Sequence, residues 1–532
     1  MQLTSLNIII ISESLSRRQQ IARQLYAYGV TKVTDTDQVS PLFEPGKTEY
    51  DVIVLDRQLS NWQTRAELVR YLTYARLVPA WCTFVLVCDD SLKEQGMLPF
   101  RHIDSQTITS ELTTSNLMPS LVFASKGITE LRSLINIVES AQQRQVLESL
   151  KQARTRQLPV EIQSSLEIIV IRTLFLNGHS HFAFKQAEKI RDPKLRHSAK
   201  LLMSFLMGDK LLFSQCMQHA DSTPGLEPKI LYYKAMMCVQ QKNYRGAKNC
   251  CQQMPEWAKS ASLSQTLVLL ELMIEGFDQA MDYLQQQRSD GQELEPAHHL
   301  LQFSGFMLLV LSLMKGRKAS RTQAIERFAL AEFIGFNTLQ NSPDQLGTLT
   351  PYLHLLAHIL LEQQSSKQLH QELQSLVAKT EPFNALKWLL LAASAVGLKQ
   401  YQQALDLLVK VDAALSPMEP CAELVFYEVV WQILFDLVVD AENTTLTAIN
   451  IGAELKKQGV NYRALKRLYS ARQLEPSNVR CNLLLLELMK RLSLVQYSEL
   501  HQDTVQAALE SSRLSDSQGQ QLDKISEIEP AS

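Results

Sequence analysis

The pattern of apolar residues changes once along the chain, and this change limits the fold more than any single motif. Residues 1–140 alternate short apolar runs with amphipathic segments, whereas residues 160–514 contain one helical segment after another. Strands that alternate with helices predict a parallel sheet covered on both faces. A chain of 532 residues is also too long for a single core. We therefore predict an α/β domain followed by an all-α region.

The elements of the first domain can be placed from these runs. Five parallel strands in a domain of this size are typical of a flavodoxin-like sheet. The predicted strands are Leu6–Ile11, Lys32–Thr34, Asp51–Leu55, Thr83–Val87 and Ser120–Ala124. The predicted helices of this domain are Ser16–Tyr28, Arg65–Arg76 and Thr129–Ala141. A Gln-rich linking helix is expected over residues 141–159, and the polar residues 515–532 are expected to be disordered.

Charge and cysteine usage exclude several classes of function. The chain has 53 basic and 55 acidic residues and no basic block, so we expect no nucleic-acid partner. Eight cysteines form no CxxC pair and lie mostly in apolar runs, which is typical of free thiols in a reduced cytoplasmic protein. The first residues lack the basic end of a signal sequence. The longest apolar runs, Phe306–Met314 and Leu424–Val439, are too short or too charged to span a bilayer, so no membrane partner is expected.

Short internal repeats occur in the helical region. The copies share a similar spacing of small and large apolar residues. The clearest copy has Trp388, Leu391, Ala392, Ala395, Tyr401, Ala404, Leu408 and Pro417. A second has Ile451, Gly452, Leu455, Ala464, Leu468, Ala471 and Pro476, and a looser third has Ala235, Cys238, Tyr244, Ala247 and Cys251. Partial copies include Phe277, Ala280 and Leu284, and Ala324, Phe328 and Ala331.

This spacing resembles the tetratricopeptide repeat. The resemblance implies a solenoid of helical hairpins over residues 160–514, which presents a long surface to another protein. A generic bundle of amphipathic helices is the alternative, because such helices share part of the pattern. Neither arrangement supplies chemistry of its own.

A buried run in the first domain ends in a carboxylate. Asp51–Leu55 is almost wholly apolar, and Asp56 follows it directly. In an open α/β sheet, ligands gather outside the carboxyl ends of the strands. An aspartate at this position can act as a nucleophile or as a metal ligand.

With Asp56 after the third strand, the first domain resembles the receiver domain of two-component response regulators. The resemblance implies that Asp56 accepts a phosphoryl group. Glu13, Asp56 and the backbone carbonyl of Gln58 would bind Mg²⁺, weakly. Lys126 would pair with the phosphate, and Phe123 stands where the family carries its aromatic switch residue. The cation and the lysine would neutralise charge on the transferred group.

Several positions depart from the family's pattern. Ser12 stands where the first of two acidic metal ligands is expected. The hydroxyl expected after the fourth strand falls on Val87 or Cys88, of which valine has no donor and cysteine a weak one. Gly127 replaces the usual proline after the lysine. These departures leave open whether the domain is phosphorylated.

The resemblance to both families implies a cytoplasmic, bacterial response regulator. Its expected partners are a histidine kinase or another phosphodonor and an unidentified protein on the helical surface, and a homodimer is allowed. The expected output is protein binding rather than enzyme activity. Two alternatives stay open: a phosphatase or inhibitor acting on another signalling protein, and a scaffold that works without phosphorylation.

Overall fold

A computed structural model describes most of the two regions. The described residues are 3–43, 50–56, 65–74, 77–79, 81–87, 105–108, 112–122, 124–125, 148, 167–168, 170–171, 174–175, 179–190, 193–207, 210–255, 258–290, 349–361, 365–382, 384–416, 418–439, 443–492, 502–510, 512 and 514–526. An α/β domain at the amino-terminal end precedes a region of helices, which confirms the predicted order of the two classes.

The α/β domain is built on one parallel sheet with the strand order β2-β1-β3-β4-β5. Its strands are β1 (Asn7–Ile11), β2 (Lys32–Thr36), β3 (Val52–Leu55), β4 (Thr83–Val87) and β5 (Ser105–Ile108). The three central strands, β1, β3 and β4, are almost completely buried. Continuous apolar runs in these strands reflect burial on both faces of the sheet. The edge strand β2 is mostly exposed and correspondingly polar.

The prediction of a strand at Ser120–Ala124 is wrong. Residues 114–122 and 124–125 are helical, and the fifth strand is instead Ser105–Ile108. Leu117, Leu121 and Ala124 recur at helical spacing, and all three are buried against the sheet in the core of the domain. Ser105–Ile108 lies at the edge of the sheet and has one apolar residue. An edge strand does not need the apolar run by which the sequence analysis recognised strands.

Two described helices of this domain match their predictions within about two residues, the usual uncertainty of helix ends. They are α1 (Leu15–Ala27) and α2 (Arg65–Tyr74). Helix α1 buries Ile21, Ala22 and Leu25. These apolar residues share one face of the helix, which is the face that packs on the core.

The remaining helices make up the second region. In chain order they are α3 (Ser180–Ala187), α4 (Pro193–Met207), α5 (Lys210–Asp221), α6 (Glu227–Gln240), α7 (Tyr244–Gln252), α8 (Ala261–Ile274), α9 (Phe277–Asp290), α10 (Thr350–Leu361), α11 (Ser366–Lys379), α12 (Ala385–Gly397), α13 (Tyr401–Leu415), α14 (Ala422–Val438), α15 (Thr444–Lys457), α16 (Asn461–Leu474), α17 (Val479–Arg491), α18 (Gln502–Glu510) and α19 (Asp516–Ser526). No described helix is long and apolar enough to cross a membrane.

The repeat segments form helical hairpins. The best copy is α12 with α13, the second is α15 with α16, and the third is α6 with α7. A Cβ atom added at Gly452 would lie 2.6 Å from Cγ of Leu468, so only glycine allows α15 and α16 to approach this closely. The partial copy at Phe277 is α9, which packs on α8, and the copy at Ala324 lies outside the described residues.

The connections within these hairpins share one backbone conformation. Lys242, Gly276, Lys399 and Gly459 lie between the paired helices, and each has a positive φ, at 55°, 102°, 59° and 76°. The left-handed region costs a side-chain-bearing residue roughly 1–2 kcal/mol relative to glycine. The turns of the α6–α7 and α12–α13 hairpins therefore carry strain that the turn at Gly459 does not.

The described helices fall into two compact units rather than one run along the chain. Unit 1 comprises residues 1–130 and 227–438, and unit 2 comprises residues 131–226 and 439–532. In unit 2 the hydroxyl of Tyr462 donates to the carbonyl of Phe175 at 2.9 Å, and Ser180 Oγ donates to the carbonyl of Leu492 at 2.6 Å. Unit 2 is therefore assembled from segments that lie far apart in the sequence.

The predicted disordered tail is wrong over Asp516–Ser526, which form α19. Ile525 of this helix is buried, and Lys490 Nζ donates to its carbonyl at 3.1 Å. The buried Ile525 side chain and the contacts from Lys490 to the carbonyls of Ile525 and Ser526 anchor a segment whose composition alone is typical of disorder. The predicted linking helix at 141–159 lies outside the described residues, apart from the helical residue 148.

We predict opposite effects of substitution at two equivalent turns. Lys399→Gly should raise the free energy of unfolding by up to about 1 kcal/mol, because it relieves the left-handed strain at some cost in chain entropy. Gly459→Ala should lower it by about 1 kcal/mol. No atom lies within 4 Å of a Cβ added at Gly459, so a steric clash does not confound this comparison. Urea denaturation followed by circular dichroism measures both, and effects of equal sign would contradict the prediction.

Candidate functional site

The candidate site lies where two neighbouring strands of the sheet end. Ile11 of β1 pairs with Leu55 of β3, so Ser12 and Asp56 follow at the same edge of the sheet. The backbone N–H of Asp56 donates to the carbonyl of Ile11 at 3.0 Å and extends the pairing by one residue. Both side chains are buried, with Ser12 at 0% and Asp56 at 5% exposure.

The Asp56 carboxylate has partners from this chain. Ser12 Oγ donates to its Oδ2 at 2.6 Å, and the guanidinium of Arg17 approaches the same oxygen at 3.5 Å. A buried carboxylate is costly unless it is hydrogen-bonded, and bonds to an ionised acceptor are among the stronger ones. Arg17 is one-third exposed, so solvent screens its charge and the Ser12 hydroxyl is the stronger of the two contacts.

A second arginine fixes the backbone beside this carboxylate. Arg18 Nη1 donates to the carbonyl of Ser12 at 2.5 Å and to that of Glu13 at 3.3 Å. Its guanidinium also lies 3.8 Å from the carboxylate of Asp35 and 3.9 Å from that of Asp37. Asp35 lies within β2, and Asp37 directly follows it. The sequence analysis missed Arg18. The available signal was its place on α1, three and four residues before the buried Ile21 and Ala22.

The other residues expected at this site are only partly brought together. Glu13 is exposed, and Val87 ends β4 with its side chain buried. Gln58, Cys88, Phe123 and Lys126 lie outside the described residues. Among the residues that the structure does describe, no three acidic, histidine or cysteine side chains are grouped to hold a metal ion.

The expected place of Lys126 requires a correction. The sequence predicts Lys126 at the carboxyl end of the fifth strand because Ser120–Ala124 is the strand predicted there. The strand ends at Ile108, and residues 109–111 after it are Thr, Ser and Glu. Lys126 therefore does not directly follow the fifth strand, and its pairing with a phosphate on Asp56 stays a prediction.

A second group of charged side chains joins the α/β domain to the helices of unit 1. Arg70 of α2 donates to Glu423 Oε1 at 3.2 Å, and Glu423 belongs to α14. Lys229 Nζ of α6 lies 3.7 Å from Oε2 of Glu419, which precedes α14. We call these four residues the junction cluster. Helices α6 and α14 also pack on each other, so the cluster lies where three helices meet.

Burial makes the junction cluster sensitive to the loss of any member. The Arg70 side chain is 5% exposed and that of Glu423 is 21% exposed. Burial lowers the pKa of Lys229, the neighbouring Arg70 lowers it further, and the Glu419 carboxylate opposes this shift. Two cations and two anions balance within the cluster. Removing one partner of a buried pair costs roughly 3–5 kcal/mol, because an uncompensated charge remains.

The junction cluster is connected to the candidate site through the chain itself. Asp56 follows β3, and the next described element along the chain is α2, which carries Arg70. The strand that ends at the carboxylate and the helix that docks on α14 are therefore consecutive among the described elements.

Tyr232 of α6 lies on the buried side of the junction cluster. Its side chain is almost inaccessible, and burial raises the pKa of its hydroxyl well above the ordinary value.

Comparison with known proteins identified no relative. No protein-family model, no curated protein and no solved structure matches this chain.

We predict that Ser12→Ala destabilises the α/β domain, because the buried Asp56 carboxylate loses the hydrogen bond from the Ser12 hydroxyl. Hydrogen bonds to charged groups contribute about 1.5–3 kcal/mol, and a loss in this range is expected. Ser14→Ala is the matched control. Ser14 precedes α1, and its side chain makes no capping bond, so its loss should cost less than about 0.5 kcal/mol. Urea denaturation of both variants measures the difference, and equal losses would contradict the contact.

We predict that Arg70→Glu destabilises unit 1 and that the exchange Arg70→Glu with Glu423→Arg restores much of the loss. The single change places two buried carboxylates together, and the exchange re-forms an ion pair. Arg245→Ala is the control for a surface pair. Arg245 Nη2 lies 3.3 Å from Glu275 Oε1, and the two side chains are 77% and 45% exposed. Such a pair should contribute at most about 1 kcal/mol. Denaturation of the wild type, both single junction variants (Arg70→Glu and Glu423→Arg), the exchange and the control measures the coupling, and additive effects of the two junction changes would refute it.

Proposed function

We propose that this protein is a signalling adaptor of the response-regulator type. Its α/β domain acts as a receiver-like domain, its tetratricopeptide-like hairpins bind another protein, and it works without phosphorylation of Asp56. The observation that carries this proposal is the set of contacts made by the Asp56 carboxylate. Its buried carboxylate already accepts from Ser12 and lies beside Arg17.

The surroundings of Asp56 favour a role without phosphate. A phosphoryl acceptor needs a divalent cation and donors for the transferred oxygens. In this chain Ser12 occupies the first acidic position, Glu13 is exposed, and β4 ends in the apolar Val87. The guanidinium of Arg17 supplies positive charge beside Asp56 from within the protein, in the place of a bound cation.

The binding output is assigned to the helical hairpins. Small residues at the crossings, such as Gly452 against Leu468, are typical of hairpin repeats that stack and present an extended surface. The α/β domain would influence this surface through α2, because Arg70 docks on the start of α14. In this proposal the junction cluster holds the domain in a fixed orientation on the hairpins.

The second candidate is a response regulator that is phosphorylated on Asp56 with weakly bound Mg²⁺, by a histidine kinase or a small phosphodonor. It is favoured by the place of Asp56 at the carboxyl end of β3. Phosphorylation would displace Ser12 and Arg17 from the carboxylate. A phosphatase or inhibitor role toward another signalling protein stays a prediction of the sequence, as do the cytoplasmic location and the bacterial origin.

Acetyl phosphate distinguishes the first two candidates. The full-length protein and the Asp56→Asn variant are incubated with acetyl phosphate and Mg²⁺, beside a phosphorylatable response regulator as positive control, and intact masses are measured at neutral pH. The proposal predicts no phosphoryl adduct on either form of this protein. An adduct that forms on the wild type and is absent from Asp56→Asn would overturn it in favour of the second candidate.

A cross-linking experiment tests the binding role. Full-length wild type, Asp56→Asn and Arg70→Glu are used as bait in extract of the source cells. Wild type and Asp56→Asn should be cross-linked to the same proteins in equal amounts, and Arg70→Glu should lose or change them. If Asp56→Asn alone changes the set, the carboxylate rather than the junction cluster controls binding, which contradicts the proposed route through α2.

A further inference from the structure

Two thiols face each other across the first hairpin of unit 1. Cys238 lies near the end of α6 and Cys250 near the end of α7, and their side chains interact directly. Both residues are half-buried, whereas the neighbouring Cys251 is fully buried. The proposed function does not use either thiol.

The helices approach closely at this point because one residue lacks a side chain. A Cβ atom added at Gly246 would lie 2.9 Å from Sγ of Cys238. Gly246 and Cys250 are four residues apart on α7 and so lie on the same face, one turn from each other. The face of α7 that receives Cys238 is therefore the face that presents Cys250.

The directions of the two side chains converge. In an α-helix each Cα–Cβ bond tilts toward the amino-terminal end of its helix. A three-residue connection, 241–243, makes α6 and α7 antiparallel neighbours, so the two tilts are opposed. Cys238 leans back along α6 toward the level of Cys250, and Cys250 leans back along α7 toward the level of Cys238.

We propose that Cys238 and Cys250 form a reversible disulfide when the protein meets a peroxide. The peroxide oxidises the thiol of Cys250 to a sulfenic acid and is itself reduced, with one water released. The sulfur of Cys238 then attacks the sulfur of Cys250, the S–OH bond breaks, and a second water leaves. In sum two thiols lose two hydrogens and two electrons, and one peroxide becomes two waters.

The order of attack follows from the charges around the pair. Burial raises the pKa of both thiols, but the ammonium group of Lys234 opposes this shift for Cys250 alone. A thiolate is the species that reacts with peroxide, so Cys250 is the first to be oxidised and Cys238 resolves it. Because burial raises both pKa values, the thiolate fraction is small at neutral pH and the reaction with peroxide is slower than that of an exposed thiol.

The disulfide would tie α6 to α7 within unit 1. Helix α6 also carries Lys229 of the junction cluster, so the cross-link stiffens one of the three helices on which the α/β domain docks. A closed loop between positions 238 and 250 restricts the unfolded chain and raises the midpoint of thermal unfolding.

Peptide mapping tests the cross-link. The full-length protein is treated with hydrogen peroxide, free thiols are blocked, and the digest is analysed by mass spectrometry with and without reductant. We expect one peptide pair that joins Cys238 to Cys250, lighter by two hydrogens and separated by dithiothreitol, with a higher thermal midpoint before reduction. Blocked, unlinked Cys238 and Cys250 would overturn the proposal, as would a link of either to Cys251 in their place.

Serine variants assign the roles of the two thiols. Cys238→Ser should accumulate a sulfenic acid on Cys250 that dimedone traps, whereas Cys250→Ser should show much less dimedone on Cys238. Cys216→Ser is the control, since Cys216 is buried on α5 and should leave the cross-link unchanged. Dimedone labelling of Cys238 in preference to Cys250 would overturn the assigned order of attack.

Discussion

The partly buried pairing of Arg70 with Glu423 fixes the α/β domain on the helices of unit 1. It joins a helix of the α/β domain to a helix more than 350 positions later, and Lys229 with Glu419 forms a second pair beside it. Such pairs are costly to bury and contribute little net stability, but a wrong orientation would leave each charge without its partner. Their value is therefore specificity, since they select one placement of the domain on α6 and α14.

The cost of burying a charge without a partner also applies to Asp56. A carboxylate at 5% exposure needs donors, and this chain supplies Ser12 and Arg17 where a metal-dependent site would need acids and a cation. Arg18 holds the backbone of Ser12 and Glu13, so the donor is kept in place by a second contact. The Asp56 carboxylate is in this way paired by residues of its own domain.

The sequence was sufficient for some elements and misleading for others. The apolar runs of β1, β3 and β4 and the spacing of Trp388 through Leu408 predicted strands and a hairpin correctly, because buried elements need apolar residues at fixed periods. The fifth strand was predicted in the wrong place. An edge strand such as Ser105–Ile108 needs few apolar residues, whereas the apolar run in Ser120–Ala124 matched the pattern of a buried strand. Arg70 and Glu423 could not be paired from the sequence, because no local pattern encodes a contact between distant charged residues.

Native-state hydrogen exchange tests most directly whether the junction cluster makes the α/β domain and helix α14 unfold as one cooperative unit. Amides of α2 (Arg65–Tyr74) and of α14 (Ala422–Val438) are followed in increasing, sub-denaturing urea. The account predicts that both sets merge into the same unfolding isotherm in the wild type and separate when Arg70 is replaced. Exchange of α2 at a lower free energy than α14 in the wild type would contradict it.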